Sequence, residues 1–384
     1  MGLLIQDGKA AGHQGWLRAA LDGGLADGAI LSPFATPPVT APKRPNAGTL
    51  ARMVSQSGSE LVFDAGTHIL LLPGVNDVEI YDEWDLWGGA RGDLSDPSLL
   101  EEHVRRVFAM QESIEAPCLT PTVPLNSAAI TPDTRAAIAL GEAGHGMRAA
   151  AWQSLAGTRS FWSAGAVLDA YVGELAQLRA PVWLLTMIRD RSTYPPDTSD
   201  TAAEAGLART VRSLSMRSRV IVAQSDFFGL PEMAAGADAV GSGWHTGQRL
   251  CSAESYIERS GGRNIRYVTH GVLMARLRPD VAEALEGANP SLAARLRDES
   301  PLPANDGEAR EMHLRALYSR IHRVRGMPNH QSKVDELRTI YDEAQAGWTR
   351  ALSLIPGLLT AAERDQWISQ SRLALEAYAV AEGL

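Results

Sequence analysis

Pro181 to Ile188 (PVWLLTMI) leads through a helix-like stretch, Thr201 to Met216, into Arg219 to Gln224 (RVIVAQ). Both flanking runs are apolar almost without a break. Strands buried on two faces read this way, whereas strands with one wet face alternate. A strand, a helix and a second such strand predict a parallel pair. The same unit recurs on either side. Towards the N-terminus lie Leu3 to Gln6, Gly28 to Phe34, Glu60 to Phe63, Ala116 to Val123 (APCLTPTV) and Ala149 to Ser154. Towards the C-terminus lies Ala237 to Ser242. Helix-like segments fill the gaps at Trp16 to Leu21, Thr49 to Gln56, Pro97 to Glu115, Pro132 to Ala143, Ala164 to Leu178 and Pro231 to Ala235. Asp96-Pro97 and Thr131-Pro132 place a capping side chain just before a proline at the first helical position.

Eight such units close naturally into a (β/α)8 TIM barrel. The competing architecture is an open doubly wound sheet. The first strand-to-helix turn lacks the G-x-G-x-x-G fingerprint of that fold, so the barrel is preferred. Residues 1–245 suffice for it, with an insertion at about 75–95, and 246–384 form a helical C-terminal region. There Leu314, Leu317, Ile321 and Val324 recur at helical spacing, as do Val334, Leu337, Tyr341, Ala344, Trp348 and Leu352.

Composition bounds the rest. The chain has 384 residues, 45% of them hydrophobic and 21% charged, which suits a folded core. Two cysteines, Cys118 and Cys251, are too few for a disulfide framework or a four-cysteine zinc site. No H-E-x-x-H or C-x-x-C occurs, so no metal and no cofactor is expected. No apolar run approaches the roughly 20 residues needed to span a bilayer, and no signal peptide is visible. A cytoplasmic protein is the expectation.

In a barrel the chemistry comes from strand C-termini and the loops after them. Those positions hold Asp7, Ser32, Asp64, His68, Thr120, Thr122, Gln153, Ser154, Thr186, Arg189, Gln224, Ser225, Asp226, Ser242, His245 and Arg249. Asp64 and Asp226 each follow an apolar strand directly and are the leading catalytic candidates. A half-desolvated carboxylate there can work as acid, base or nucleophile. A cap or an arginine partner would serve as well. His68, Gln153, Ser242, His245 and Arg249 are candidates for substrate binding. Gly236 to Gly243 (GADAVGSG) is similar to loops that hold a phosphate or a flavin phosphate, which leaves an oxidoreductase or lyase as an alternative.

Two stretches resemble the tRNA-guanine transglycosylase superfamily, barrels that exchange guanine for a 7-deazaguanine in nucleic acid. Ala29 to Gly74 holds Ile30 to Thr36 (ILSPFAT) and a segment from Gly58 whose His68, Pro73 and Gly74 keep the family spacing. Val220 to Arg249 matches the approach to the last strand, and Gln153 falls where the family has a base-recognising glutamine. The resemblance implies a base-exchanging glycosyltransferase acting at a nucleobase or N-glycosidic bond. The chain departs from the family in two places. Gly241 stands where the family has its nucleophilic aspartate, and the zinc cysteines are absent. A non-catalytic nucleic-acid-binding or scaffold protein on the same barrel is therefore a second expectation.

The formal net charge is −9, unevenly spread. Asp77, Glu79, Asp82, Glu83, Asp85 and Asp93 crowd the insertion beside Tyr81, Trp84 and Trp87. From Met312 to Lys333 there is no carboxylate, while Arg315, Arg320, Arg323, Arg325 and Lys333 are all basic. That stretch suits RNA or DNA phosphates. A solvated helix face or an internal partner for the acidic loop explains it equally well. The insertion and the C-terminal helices are also candidate surfaces for a protein partner or a second copy of the chain.

Overall fold

A computed structural model describes residues 2–10, 12–38, 45–258 and 266–384. Eight parallel strands form one curled sheet: β1 (Leu3–Gln6), β2 (Gly28–Leu31), β3 (Glu60–Phe63), β4 (Pro124–Leu125), β5 (Gln153–Thr158), β6 (Val182–Ile188), β7 (Arg219–Ala223) and β8 (Ala239–Gly243). Their order is β3-β2-β1-β8-β7-β6-β5-β4. Between them run α1 (His13–Asp22), α2 (Ala47–Gln56), α3 (Pro97–Ser113), α4 (Pro132–Met147), α5 (Ala166–Leu175), α6 (Thr201–Ser215) and α7 (Leu230–Ala235). The fold is the barrel type, with a C-terminal helical region. Asp96 and Thr131 cap α3 and α4, accepting from Ser98 N and Thr134 N.

Alternate strand residues separate into two apolar layers. Leu4, Ile30, Val62, Leu119, Leu184, Ile221 and Ala239 pack together inside the curl. Leu3, Ile5, Leu31, Phe63, Leu185, Val222 and Val240 pack outward against the helices. This double burial is why the strands read as unbroken apolar runs.

The ladder is open at one seam. Among the described residues β3 and β4 share no backbone pairing. The carboxamide of Gln111, from α3, fills that gap. Its Nε2 donates to Phe63 O at 2.9 Å and Leu119 O at 3.0 Å, and its Oε1 accepts from Leu119 N at 3.0 Å. The fourth strand, two residues long, lies just past the expected Ala116 to Val123, where among the described residues only Leu119 pairs, through a bridge to Trp152. Pro117, Pro121 and Pro124 remove backbone donors along this stretch, and a strand without donors cannot sustain a ladder. The fifth strand is shifted. Ala149 to Ala151 form a turn closed by Ala151 N to Arg148 O, and the strand begins at Gln153.

The C-terminal region starts with a hairpin, β9 (Val268–His270) and β10 (Ala275–Leu277), where helix had been expected. Then come α8 (Pro279–Ala288), α9 (Pro290–Leu296), α10 (Asp306–Arg325), α11 (His330–Leu354) and α12 (Gln370–Glu382). Leu317, Ile321, Tyr341, Trp348 and Tyr378 join the same apolar core as the barrel helices. The helix α11 packs on α7, and α12 on α6.

The acidic insertion folds down rather than projecting. Trp87 stacks on His103 at 3.7 Å between ring centroids, and its Nε1 donates to the Tyr81 hydroxyl. Its carboxylates pair locally: Asp77 with Lys9, Asp82 with Arg91, Asp85 with Arg106.

Candidate functional site

A cavity of about 1010 Å³ opens at the C-terminal ends of the strands. Its floor comes from Gln6 and Asp7 after β1 and Ser32 after β2. The turn after β8 supplies His245 to Gln248. Phe34, Tyr194, Tyr256, Tyr267 and Trp367 form aromatic walls. Gln248 lies across the floor because Gly8 and Gly243 have no side chains. A Cβ on Gly8 would stand 1.5 Å from its Nε2, and one on Gly243 would stand 2.4 Å from its Cβ.

Asp7 is the carboxyl that meets this cavity while buried. Its Oδ1 accepts from Gly8 N at 2.7 Å, and Thr36 donates its hydroxyl to Oδ2. Burial pushes its pKa up to about 6, against the pull of those hydrogen bonds. The His13 Nε2 lies 3.5 Å away, and burial lowers that imidazole to about 4, so His13 is neutral near neutral pH. Beside Asp7, the Gln6 Oε1 is buried and has no donor.

The expected residues scatter around this centre. Asp64 lines neither cavity at the mouth; its Oδ1 accepts from Gly66 N at 2.9 Å and pins the turn after β3. His68 is buried beneath that turn, its Nε2 without a partner, and burial lowers its pKa. Asp226 is fully buried and also lines neither cavity. Its Oδ2 is 3.0 Å from His313 Nε2 and 3.2 Å from Arg249 Nε. Burial raises Asp226, but His313 and then Arg249 outweigh it and hold the carboxyl below its ordinary range. His313 is itself lowered to about 4 by burial and by Arg249. In its neutral form Nε2–H donates to Asp226 and Nδ1 accepts from Thr269. Asp226 is therefore an anchor between the barrel and α10.

Gln153 begins β5, so it stands at the opposite end of the barrel, where its Nε2 donates to Gly141 O. Ser242 shares its register with Ile5 and faces the helix layer, buried, with no partner for its hydroxyl. His245 does line the mouth, lowered to about 4 by burial and by Arg310. Arg249 lines a second cavity, of about 280 Å³, next to the first. The glycines of residues 236–243 line neither cavity. Gly236 takes a positive φ of 119° at the end of α7, and a Cβ on Gly241 would press on Gln224 N at 2.8 Å.

The basic stretch is largely neutralised inside the fold. Arg315 pairs with Glu311, Arg320 with Asp298, and Arg323 with both Glu336 and Glu343. Arg325 and Lys333 make no ion pair among the described residues. None of these partners is in the acidic insertion. Among the described residues no cluster suits a metal ion, and no helix is long and apolar enough to cross a membrane.

Reading strand ends placed Asp7 among the candidates but ranked Asp64 and Asp226 above it. It missed Gln6, Tyr194, Tyr267 and Arg276. Tyr267 precedes, and Arg276 lies within, a hairpin with no local signal of its own.

No family model matches the chain, and no curated protein matches it. Among solved structures it is similar to a probable tagatose 6 phosphate kinase from Sinorhizobium meliloti 1021. The identity is 12% and the TM-score 0.31, over 100% of this chain and 98% of that one. A likeness of that size carries no argument.

Proposed function

We propose that the protein is an enzyme for a small, nitrogen-bearing cyclic substrate, a nucleobase or nucleoside, with Asp7 transferring the proton at the N-glycosidic bond. One observation carries this reading. The donorless Gln6 Oε1 and the Asp7 carboxyl, with its pKa near 6, stand side by side on the floor of an aromatic-walled cavity. A ring N–H satisfies such an acceptor, and aromatic walls suit a planar ring. A carboxylic acid with a pKa near 6 can protonate a departing base close to neutrality, while water or an incoming base bonds to the anomeric carbon it leaves. The transglycosylase resemblance points to the same bond. Asp64 and Asp226 hold the turn and the anchor instead. The paired state of Arg315, Arg320 and Arg323 gives a polymer substrate no advantage over a free nucleoside.

The test is base release or labelled-base exchange across purine and pyrimidine nucleosides, followed by chromatography. Asp7→Asn is expected to lower turnover by about 10²–10⁴-fold. Because the protonated form acts, kcat/KM should fall as pH rises through about 6. Full turnover in Asp7→Asn would remove Asp7 from the mechanism.

A further inference from the structure

The second cavity carries an inference that rests on the reading above and extends it. Arg249, Arg266, Arg276 and Arg310 line its wall, and Asp306 is the one carboxylate among the residues that line it. His245, Thr246, Tyr267 and Arg276 line both cavities, so the two adjoin.

These guanidinium groups are unevenly satisfied. The Arg249 side chain is 1% exposed; its Nε donates to Gly243 O at 2.7 Å and faces Asp226. Its Nη1 is buried and has no partner. The Arg276 guanidinium makes no hydrogen bond or ion pair among the described residues. Its central carbon lies 5.6 Å from the Tyr194 ring centre and 5.0 Å from that of Tyr267. Arg310 lies 3.4 Å over the Trp244 ring, with Asp306 at 3.6 Å. Arg266 donates to Ala304 O. Burial and the nearby Arg249 charge lower Arg276 to about 9. Among the described residues Arg276 and the Arg249 Nη1 have no hydrogen-bond partner, and an anion placed between them would satisfy both.

We propose that this annex binds a phosphate monoester dianion, so that the molecule in the main cavity is a phosphorylated one, a nucleotide rather than a nucleoside. Several convergent guanidinium groups suit a dianion with three terminal oxygens better than a single carboxylate. The annex adjoins the cavity that holds Asp7. A cyclic body there and its phosphate in the annex belong to one ligand.

The experiment is calorimetric titration of the full chain with inorganic phosphate, then with a nucleoside monophosphate, near neutral pH. Inorganic phosphate should bind with a Kd on the order of millimolar, and the monophosphate more tightly. Arg276→Gln and Arg310→Gln should each weaken both by at least roughly tenfold. Arg310 is the more exposed of the two, so Arg310→Gln serves if Arg276→Gln does not fold. Asp7→Asn should still bind inorganic phosphate. Absent phosphate heat, or heat unchanged in both arginine variants, overturns the proposal. So does Arg276-dependent binding of a single-stranded RNA with no binding of either phosphate probe, which would assign the annex to a polymer backbone. Failure here with Asp7-dependent turnover intact would leave the catalytic reading standing. The reverse pattern would remove the catalytic reading alone.

Discussion

Glu232 is a buried carboxyl outside the mouth, held well away from its ordinary titration range. It sits in α7 at 1% exposure, its Oε2 unpartnered. The neighbouring Glu204 is already committed to Arg189, with 3.0 Å between Arg189 Nη2 and Glu204 Oε2. Burial, and then the Glu204 charge, raise Glu232 from 4.5 to about 8. Below pH 4.5 the group is neutral in both folded and unfolded chains and has no effect. Between 4.5 and 8 the unfolded chain ionises while the folded one keeps its proton. Stability should fall there by about 1.4 kcal/mol per pH unit. Glu232→Gln removes this slope. In urea unfolding the variant should nearly match the natural chain near pH 5 and exceed it by about 4 kcal/mol near pH 8. Equal stability at both pH values would show that Glu232 ionises freely in the fold. Local pattern could not have sorted the carboxylates this way. Asp7, Asp64 and Asp226 look alike in the sequence, each closing an apolar run. What separates them is distant. His313 reaches Asp226 from 87 residues away, and only the assembled mouth leaves Asp7 on a cavity.

Among the elements, the seam between β3 and β4 depends on one side chain. Gln111→Ala leaves Phe63 O and both backbone groups of Leu119 without their carboxamide partners. Each abandoned buried polar group costs about 1–3 kcal/mol. The variant is expected to lose about 2–5 kcal/mol in chemical denaturation, and a loss under about 0.5 kcal/mol would mean the seam closes by other means. Legibility in the sequence varied by element for the same kind of reason. The bounds of β1 and β3 match the reading because compact turns end them at Asp7-Gly8 and Asp64-Ala65-Gly66. The fourth strand was overread, because the apolar residues of Ala116 to Val123 hid two prolines, Pro117 and Pro121, that cannot donate. The fifth was misplaced, because small alanines in a turn look as apolar as a strand. Strands β9 and β10 have three residues each, too few for a period to show.

For the whole molecule, barrel and C-terminal helices share one apolar core. The buried faces of α6 and α7 are covered by α11 and α12. A chain ended at residue 300 would expose those faces. It is expected to be poorly soluble and to lack near-ultraviolet circular dichroism and cooperative unfolding. If that shortened chain unfolds cooperatively, the two parts are separate domains.

A closed ring of strands has no first member, and each strand is reached from two neighbours. This sheet has a beginning at β3 and an end at β4, joined by a borrowed amide. Loosening has a defined starting place. It can run inward from the seam along two arms, and the strands opposite, β8 and β7, are the last to be reached, just after β1 and β6. Asp7, at the end of β1, and His245, after β8, stand two or more strands in from either end, while Ser32 after β2 lies one strand from the seam. The architecture thus sets the break in its ladder two strands away from Asp7.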